Sequence, residues 1–205
     1  MSLSEREVYS WFYELVSRHS RIPRDNVIHV GEVSGCLRRA FFDRRNPLKK
    51  VDAQNVILTI GNSVHLQLQE ILREKGFQVE VEAAYPLRGF TLVGHADLYD
   101  PLRNIIIELK TVTKIPKKPY QEHILQVNAY TFMLKAERAF IVYISKSNGA
   151  IRVFEIGRNP RLWRYTIKRA FTLHNALSDN KPPEPERSHF CSYCPYKWRC
   201  YGSDM

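Results

Sequence analysis

The chain has 205 residues, enough for one sizeable hydrophobic core and too few for two full domains with a linker. Hydrophobic residues make up 44%, charged 25% and aromatic 12%, a globular composition that excludes disordered, collagen-like and low-complexity classes. Thirty-one Lys and Arg against 21 Asp and Glu leave a net charge of +10, which favours a polyanionic partner such as nucleic acid.

Along the chain, Val8, Trp11, Phe12, Leu15 and Val16 recur at helical spacing, so a first amphipathic helix is expected from Ser2 to about Ser20, with a Ser2–Glu5 capping box. Asn26 to Val33 reads as a short strand, and Ser34 to Phe42 as a turn entering a helix. A second long helix is expected from about Val56 to Lys75, closed by Gly76. Strands follow at Phe77–Tyr85 and Thr91–Tyr99, a turn at Asp100-Pro101, and a strand at Ile105–Val112 so apolar at its start that it should be central. A helix over Tyr120–Lys135, strands over Ala139–Ser145 and Ile151–Ile156 joined by Ser147-Asn148-Gly149, and a helix over Pro160–Leu177 complete the main part. The Pro-rich run Asp179–Glu186 is an extended linker to a cysteine-bearing tail. These elements predict an α/β protein with a central mixed sheet flanked by helices, divided as 1–178 and 179–205. No apolar run approaches the roughly 20 residues that span a bilayer, and the N-terminus lacks a signal-peptide plan, so a soluble cytoplasmic protein without a membrane partner is expected.

The most informative segment is Gly94-His95-Ala96-Asp97, followed by Glu108-Leu109-Lys110. If residues 101–104 form a four-residue loop, Asp100 pairs with Ile105 and Asp97 falls opposite Glu108, with Cβ atoms roughly 5 Å apart. Two such carboxylates repel and resist burial unless a cation lies between them, and hard oxygen donors suit Mg²⁺ or Mn²⁺. Strand alternation places Lys110 beside Glu108 and Leu109 on the opposite side. An ammonium there can stabilise the charge that develops during phosphodiester hydrolysis. His65, four residues after Gly61 and in line with Leu68 and Leu72, is a candidate third ligand, and Gln126 and Tyr130 share a helix face one turn apart.

Cys191-x2-Cys194-x5-Cys200 with the distant Cys36 supplies four thiolates for an iron–sulfur cluster or Zn²⁺, either of which would staple the tail to the N-terminal part. Basic residues stand beside aromatics at Arg38, Arg39, Phe41 and Phe42, at Lys117, Lys118 and Tyr120, and at Lys197, Trp198 and Arg199. Such groups can track phosphates and stack on unpaired bases.

Together His65, Gly94-His95-Ala96-Asp97, Glu108-Leu109-Lys110, Gln126-x3-Tyr130 and the one-plus-three cysteines resemble the RecB-like nucleases of the PD-(D/E)xK superfamily. Length and cysteine placement look most like the CRISPR-associated Cas-four family. The one departure is Ala96-Asp97 where the superfamily is named for Pro-Asp. The resemblance implies a restriction-endonuclease-like core in which His65, Asp97, Glu108 and the Leu109 carbonyl bind Mn²⁺ or Mg²⁺. Lys110 would be the catalytic lysine, and Gln126 and Tyr130 would orient DNA or water. Cys36, Cys191, Cys194 and Cys200 would hold a [4Fe–4S] cluster, favoured over [2Fe–2S]. The implied function is 5′→3′ exonucleolytic cleavage of single-stranded DNA, making ends for new CRISPR spacers alongside integrase and adaptation proteins, with room for a homo-oligomer. The alternatives are a non-catalytic DNA-binding or scaffold subunit of the adaptation complex, and a zinc-ribbon-like binding protein.

Overall fold

A computed structural model describes residues 4–10, 26–48, 52–188, 191–192 and 194–201. At the N-terminus residues 5–10 are helical, and the capping box is formed by Ser4 and Glu7, two positions along from the expected Ser2–Glu5 pair. The Ser4 amide donates to Glu7 Oε2 at 2.9 Å and the Glu7 amide to Ser4 Oγ at 3.3 Å. Ser2 and the rest of the expected first helix lie outside the described residues.

The expected strand over Asn26–Val33 is only half correct. Strand β1 covers Val27–His29, and helix α1 takes over at Val30–Ser34. The reason is the spacing of Val30 and Val33, three apart and both buried, which suits a helical turn and not a pleat. Glu32 secures that turn: its Oε2 accepts from the His29 amide at 2.7 Å, and both its oxygens accept from Arg44 at 2.6 Å. Helix α2 follows at Leu37–Arg45, then α3 at Asp52–Arg73, four residues longer at its start than expected. Gly76, at φ +89°, makes the left-handed turn after α3 that a side chain would resist.

Strands β2 (Gln78–Leu87) and β3 (Phe90–Asp100) form a long hairpin; β4 (Ile105–Val112) follows. Helix α4 (Gln121–Met133) crosses from β4 to the parallel β5 (Arg138–Ser145), and β6 (Ile151–Gly157) closes the sheet. Helix α5 (Pro160–Ser178) begins at Asn159, whose side chain accepts from the Arg161 and Leu162 amides, and short helix α6 spans Lys197–Tyr201. The sheet runs β1-β3-β4-β5-β6, with β2 also on β3. Beta4 is therefore central, as its apolar start requires.

Beta2 lines one edge of β3 from Phe90 to Tyr99, so β1 and β4 must share the other. Beta1 occupies Thr91–Val93 in parallel, and β4 occupies Leu98–Asp100 antiparallel. Between them, residues 94–97 face a fork where no strand pairs on that edge. This fork positions the site, because polar groups can enter a sheet only where the ladder opens.

Candidate active site at the strand fork

Asp100 sets the register of the β3–β4 hairpin. Its Oδ1 accepts from the Leu102 and Arg103 amides at 2.9 and 3.1 Å, its Oδ2 accepts from Arg103 Nη1 at 2.6 Å, and Asn104 turns back at φ +52°. The four-residue loop that results pairs Asp100 with Ile105 and Leu98 with Ile107. Carried one residue further, that register sets Asp97 opposite Glu108. There the backbone ladder stops, and the Asp97 carboxylate takes its place: Oδ2 accepts from the Leu109 amide at 2.7 Å.

Both acids are buried, Glu108 to 2% exposure. Lys110 Nζ donates to Glu108 Oε1 at 2.7 Å and to Gln126 Oε1 at 3.0 Å, and Gln126 Nε2 donates to the Tyr130 hydroxyl at 3.1 Å. Helix α3 brings His65 to the same place, its Nδ1 3.7 Å from Asp97 Oδ1. The six side chains thus converge from α3, β3, β4 and α4. Leu109 is buried on the other side of the pleat, and the backbone group it presents to Asp97 is its amide.

Burial is the main force on the Glu108 carboxyl, and the neighbouring Asp97 charge adds to it; Lys110 only partly offsets them, and the group rises from 4.5 to about 7. For Lys110 burial opposes the charge, but the Glu108 carboxylate outweighs it and the ammonium is strengthened. Burial and the Glu108 charge hold Tyr130 as a neutral phenol.

A raised carboxyl costs stability once it must ionise. Between pH 4.5 and about 7 the folded chain keeps a proton that the unfolded chain has released, so unfolding free energy falls as pH rises through that window. In chelator, wild type is expected to lose up to about 3 kcal/mol relative to Glu108→Gln across it, read as converging or crossing thermal midpoints in paired melts.

One atom reports directly on what the site accepts. Glu108 Oε2 is buried and has no hydrogen-bond partner. A buried carboxylate oxygen without a donor is costly, and a cation relieves that cost. Two carboxylates and an imidazole form a hard donor set that fits Mg²⁺ or Mn²⁺. Among the described residues no three His, Cys, Asp or Glu side chains are drawn together as a ready-made cage; the donors stand as the His65–Asp97 and Glu108–Lys110 pairs.

Three neighbours were not singled out in the sequence. Gln69, one helical turn beyond His65 and 3% exposed, donates to Glu80 Oε1 at 2.8 Å and lies 3.5 Å from the Asp97 carbonyl. Its spacing from His65 was the available signal. Glu80 falls opposite Asp97 on β2, adopts φ +50° mid-strand, and lines a 450 Å³ cleft with Gly94, Gln126 and Tyr130. Glu122, one turn before Gln126, acts electrostatically on Lys110 and has a buried oxygen without a partner. Gly94 is required sterically, since a Cβ there would lie 2.5 Å from the Tyr130 ring.

The four cysteines are free and half-buried. Cys36 caps α2, where burial, together with the charges of Glu186 and Cys194, raises its thiol. Burial also raises Cys200, which interacts electrostatically with Cys36 and Cys194. Cys191 accepts from the Ser188 amide at 3.4 Å and donates to the Glu186 carbonyl at 3.8 Å. Of the aromatic and basic groups, Phe41 and Phe42 are core residues and Tyr120 packs edge-on to His123 and Tyr143, so these rings are not base platforms. Trp198 is 57% exposed, with Arg199 4.9 Å from its ring centre and 5.1 Å from that of Phe42. Among the described residues no helix is long and apolar enough to cross a membrane.

This arrangement can be set against known proteins. The PD-(D/E)XK nuclease superfamily matches residues 67–201, well over half of the chain. A CRISPR-associated exonuclease Cas4 from Saccharolobus solfataricus is 26% identical over 192 residues, covering 88% of this chain and 90% of that protein. The crystal structure of SSO0001 superposes with a TM-score of 0.77 at 21% identity, over 97% of this chain and 98% of that one. An alkaline exonuclease from Laribacter hongkongensis superposes with a TM-score of 0.53 at 15% identity, over 77% and 90% of the respective chains. With carboxylates at a strand fork and a lysine two residues on, the chain belongs to the PD-(D/E)XK nuclease superfamily.

Proposed function

We propose that the chain is a divalent-metal-dependent DNA exonuclease that degrades single strands from the 5′ end and works in the cytoplasm with integrase and adaptation proteins of a CRISPR system. The superfamily supports the nuclease activity, and the Cas4 relative supports the exonuclease and CRISPR context. The observation that carries the reading is the buried, unpartnered Glu108 Oε2 beside Asp97 and Lys110.

His65, Asp97 and Glu108, with the Leu109 carbonyl, would hold Mg²⁺ or Mn²⁺. When bound, the ion supplies Lewis-acid polarisation of the phosphoryl group and a lower pKa for the attacking water. The protein does the rest. Lys110 presents its ammonium to the charge that builds on the phosphoryl oxygens, and Gln126 holds that ammonium in place through Oε1. Tyr130 fixes Gln126 in turn and, packed on Gly94, shapes the wall of the cleft. The net positive charge and exposed Trp198 favour an unpaired strand, which offers both phosphates and free base faces.

Residues 1–178 would carry the nuclease and 179–205 the cysteine centre, where Cys36, Cys191, Cys194 and Cys200 fit an iron–sulfur cluster, [4Fe–4S] in preference to [2Fe–2S], by their chemistry and by the mutual influence of Cys36, Cys194 and Cys200.

The function is tested on single strands labelled at either end, with Mn²⁺ and with chelator. Release of short products first from the 5′ end, abolished by chelator, is expected. Intact strands under all metal conditions would refute the reading.

A further inference from the structure

The tail is fastened to the body by protein contacts that involve no sulfur. Arg38 Nη1 donates to the Pro183 carbonyl at 2.7 Å, and Tyr196, 1% exposed, donates to Asp43 at 2.8 Å while accepting from the Leu48 amide at 3.2 Å. The strongest fastening is Arg169 on α5, 6% exposed, whose five N–H groups are all used. Its Nε donates to the Val33 carbonyl at 2.5 Å, and Nη2 donates to the Gly35 carbonyl. Nη1 donates to Glu186 Oε1 at 2.5 Å and to the Tyr165 hydroxyl at 3.1 Å, and Nη2 also reaches Glu186 Oε2 at 2.9 Å. The pair is bidentate and partly buried, the geometry in which Arg and carboxylate bind most strongly.

What this pair joins is specific. Val33 and Gly35 lead directly into Cys36, and Glu186 precedes Cys191 by five residues. Glu186 also acts on both: its charge reaches the Cys36 thiol, and its carbonyl accepts from the Cys191 thiol at 3.8 Å. A cleft of 390 Å³ lies among Cys36, Glu122, Tyr165, Arg169, Glu186 and Ser188.

We propose that Arg169 and Glu186 form a latch that seats the tail against Cys36 before any inorganic group arrives, so that the cysteine centre is a preformed site and not one that folds around its metal. Small metal-folded domains behave in the opposite way, being unfolded until loaded. Arg169 is thereby a positioning residue for the centre. Its purpose rests on the reading of the four cysteines as one centre; its effect on tail docking does not.

The test uses the full chain, prepared anaerobically, reduced and metal-free. Limited proteolysis within residues 179–188 and N-ethylmaleimide labelling of Cys36, both read by mass spectrometry, are compared for wild type, Arg169→Lys and Glu186→Ala. Iron and acid-labile sulfide are then measured after reconstitution of each. The latch predicts protection in metal-free wild type, and cleavage and labelling at least about tenfold faster in both variants, as loss of a charge-assisted bidentate pair implies. It also predicts less iron and sulfide retained by the variants. Because Arg169 is buried, Arg169→Lys is interpreted only if its circular dichroism matches wild type; Glu186→Ala leaves the core donors bonded and decides alone otherwise. Equal rates in metal-free wild type and Glu186→Ala would overturn the latch. A wild type that takes up neither iron nor sulfide would overturn the cysteine-centre reading, on a separate preparation.

Discussion

Glu108→Ala is expected to lower metal-dependent cleavage of single-stranded DNA by about 10³-fold or more, with folding and DNA binding retained. The loss is large because Glu108 contributes one of two facing carboxylates, and its partner Asp97 is already committed through Oδ2 to the Leu109 amide. Folding survives because the substitution removes a buried carboxyl whose ionisation is unfavourable, and Gln126 still accepts from Lys110. DNA binding survives because one negative charge is lost from a chain that is already basic. Single-turnover rates beside filter-binding or anisotropy isotherms separate the two quantities. Parallel loss of binding and cleavage would mean that Glu108 serves the architecture and not the reaction.

Lys110→Met is the second large effect, about 10²–10³-fold in the rate of the chemical step. Its signature differs from that of Glu108→Ala. Lys110 Nζ sits 2.7 Å from Glu108 Oε1 and competes with any cation for that oxygen. Without the ammonium, Glu108 is left buried with neither oxygen neutralised, so the metal-free variant should melt earlier than wild type. Added Mn²⁺ should raise its melting temperature by more than it raises that of wild type, since binding now relieves a greater cost. A variant inactive yet indifferent to Mn²⁺ in thermal melts would break the link between the lysine and the cation.

The catalytic hairpin was legible in the sequence because it is local. Asp100 fixes its loop through three bonds within four residues, and a four-residue loop determines which residues face one another. Alternation then places Glu108 and Lys110 together, and the one-turn spacing of Gln126 and Tyr130 does the same on α4. Elements that depend on distant partners were not legible. Residues 30–34 are apolar enough for a strand, and their helical turn is held by Arg44 from the next helix. Glu80 faces Asp97 only through the pairing of β2 with β3, and its left-handed backbone has no local signature. Phe41 and Phe42, beside arginines in sequence, pack inward once α2 meets the tail, where Phe42 lies against Tyr196. Arg169 meets partners 134 and 136 residues away in the chain, beyond any pattern of spacing.

The account stands on Asp97 and Glu108 serving one cation. Anomalous diffraction from crystals soaked in Mn²⁺ tests this most directly. The predicted result is a single peak within about 2.3 Å of an oxygen of each carboxylate, lost in Asp97→Asn and in Glu108→Gln. A peak bonded to only one of them, or one that persists unchanged in both variants, would contradict it.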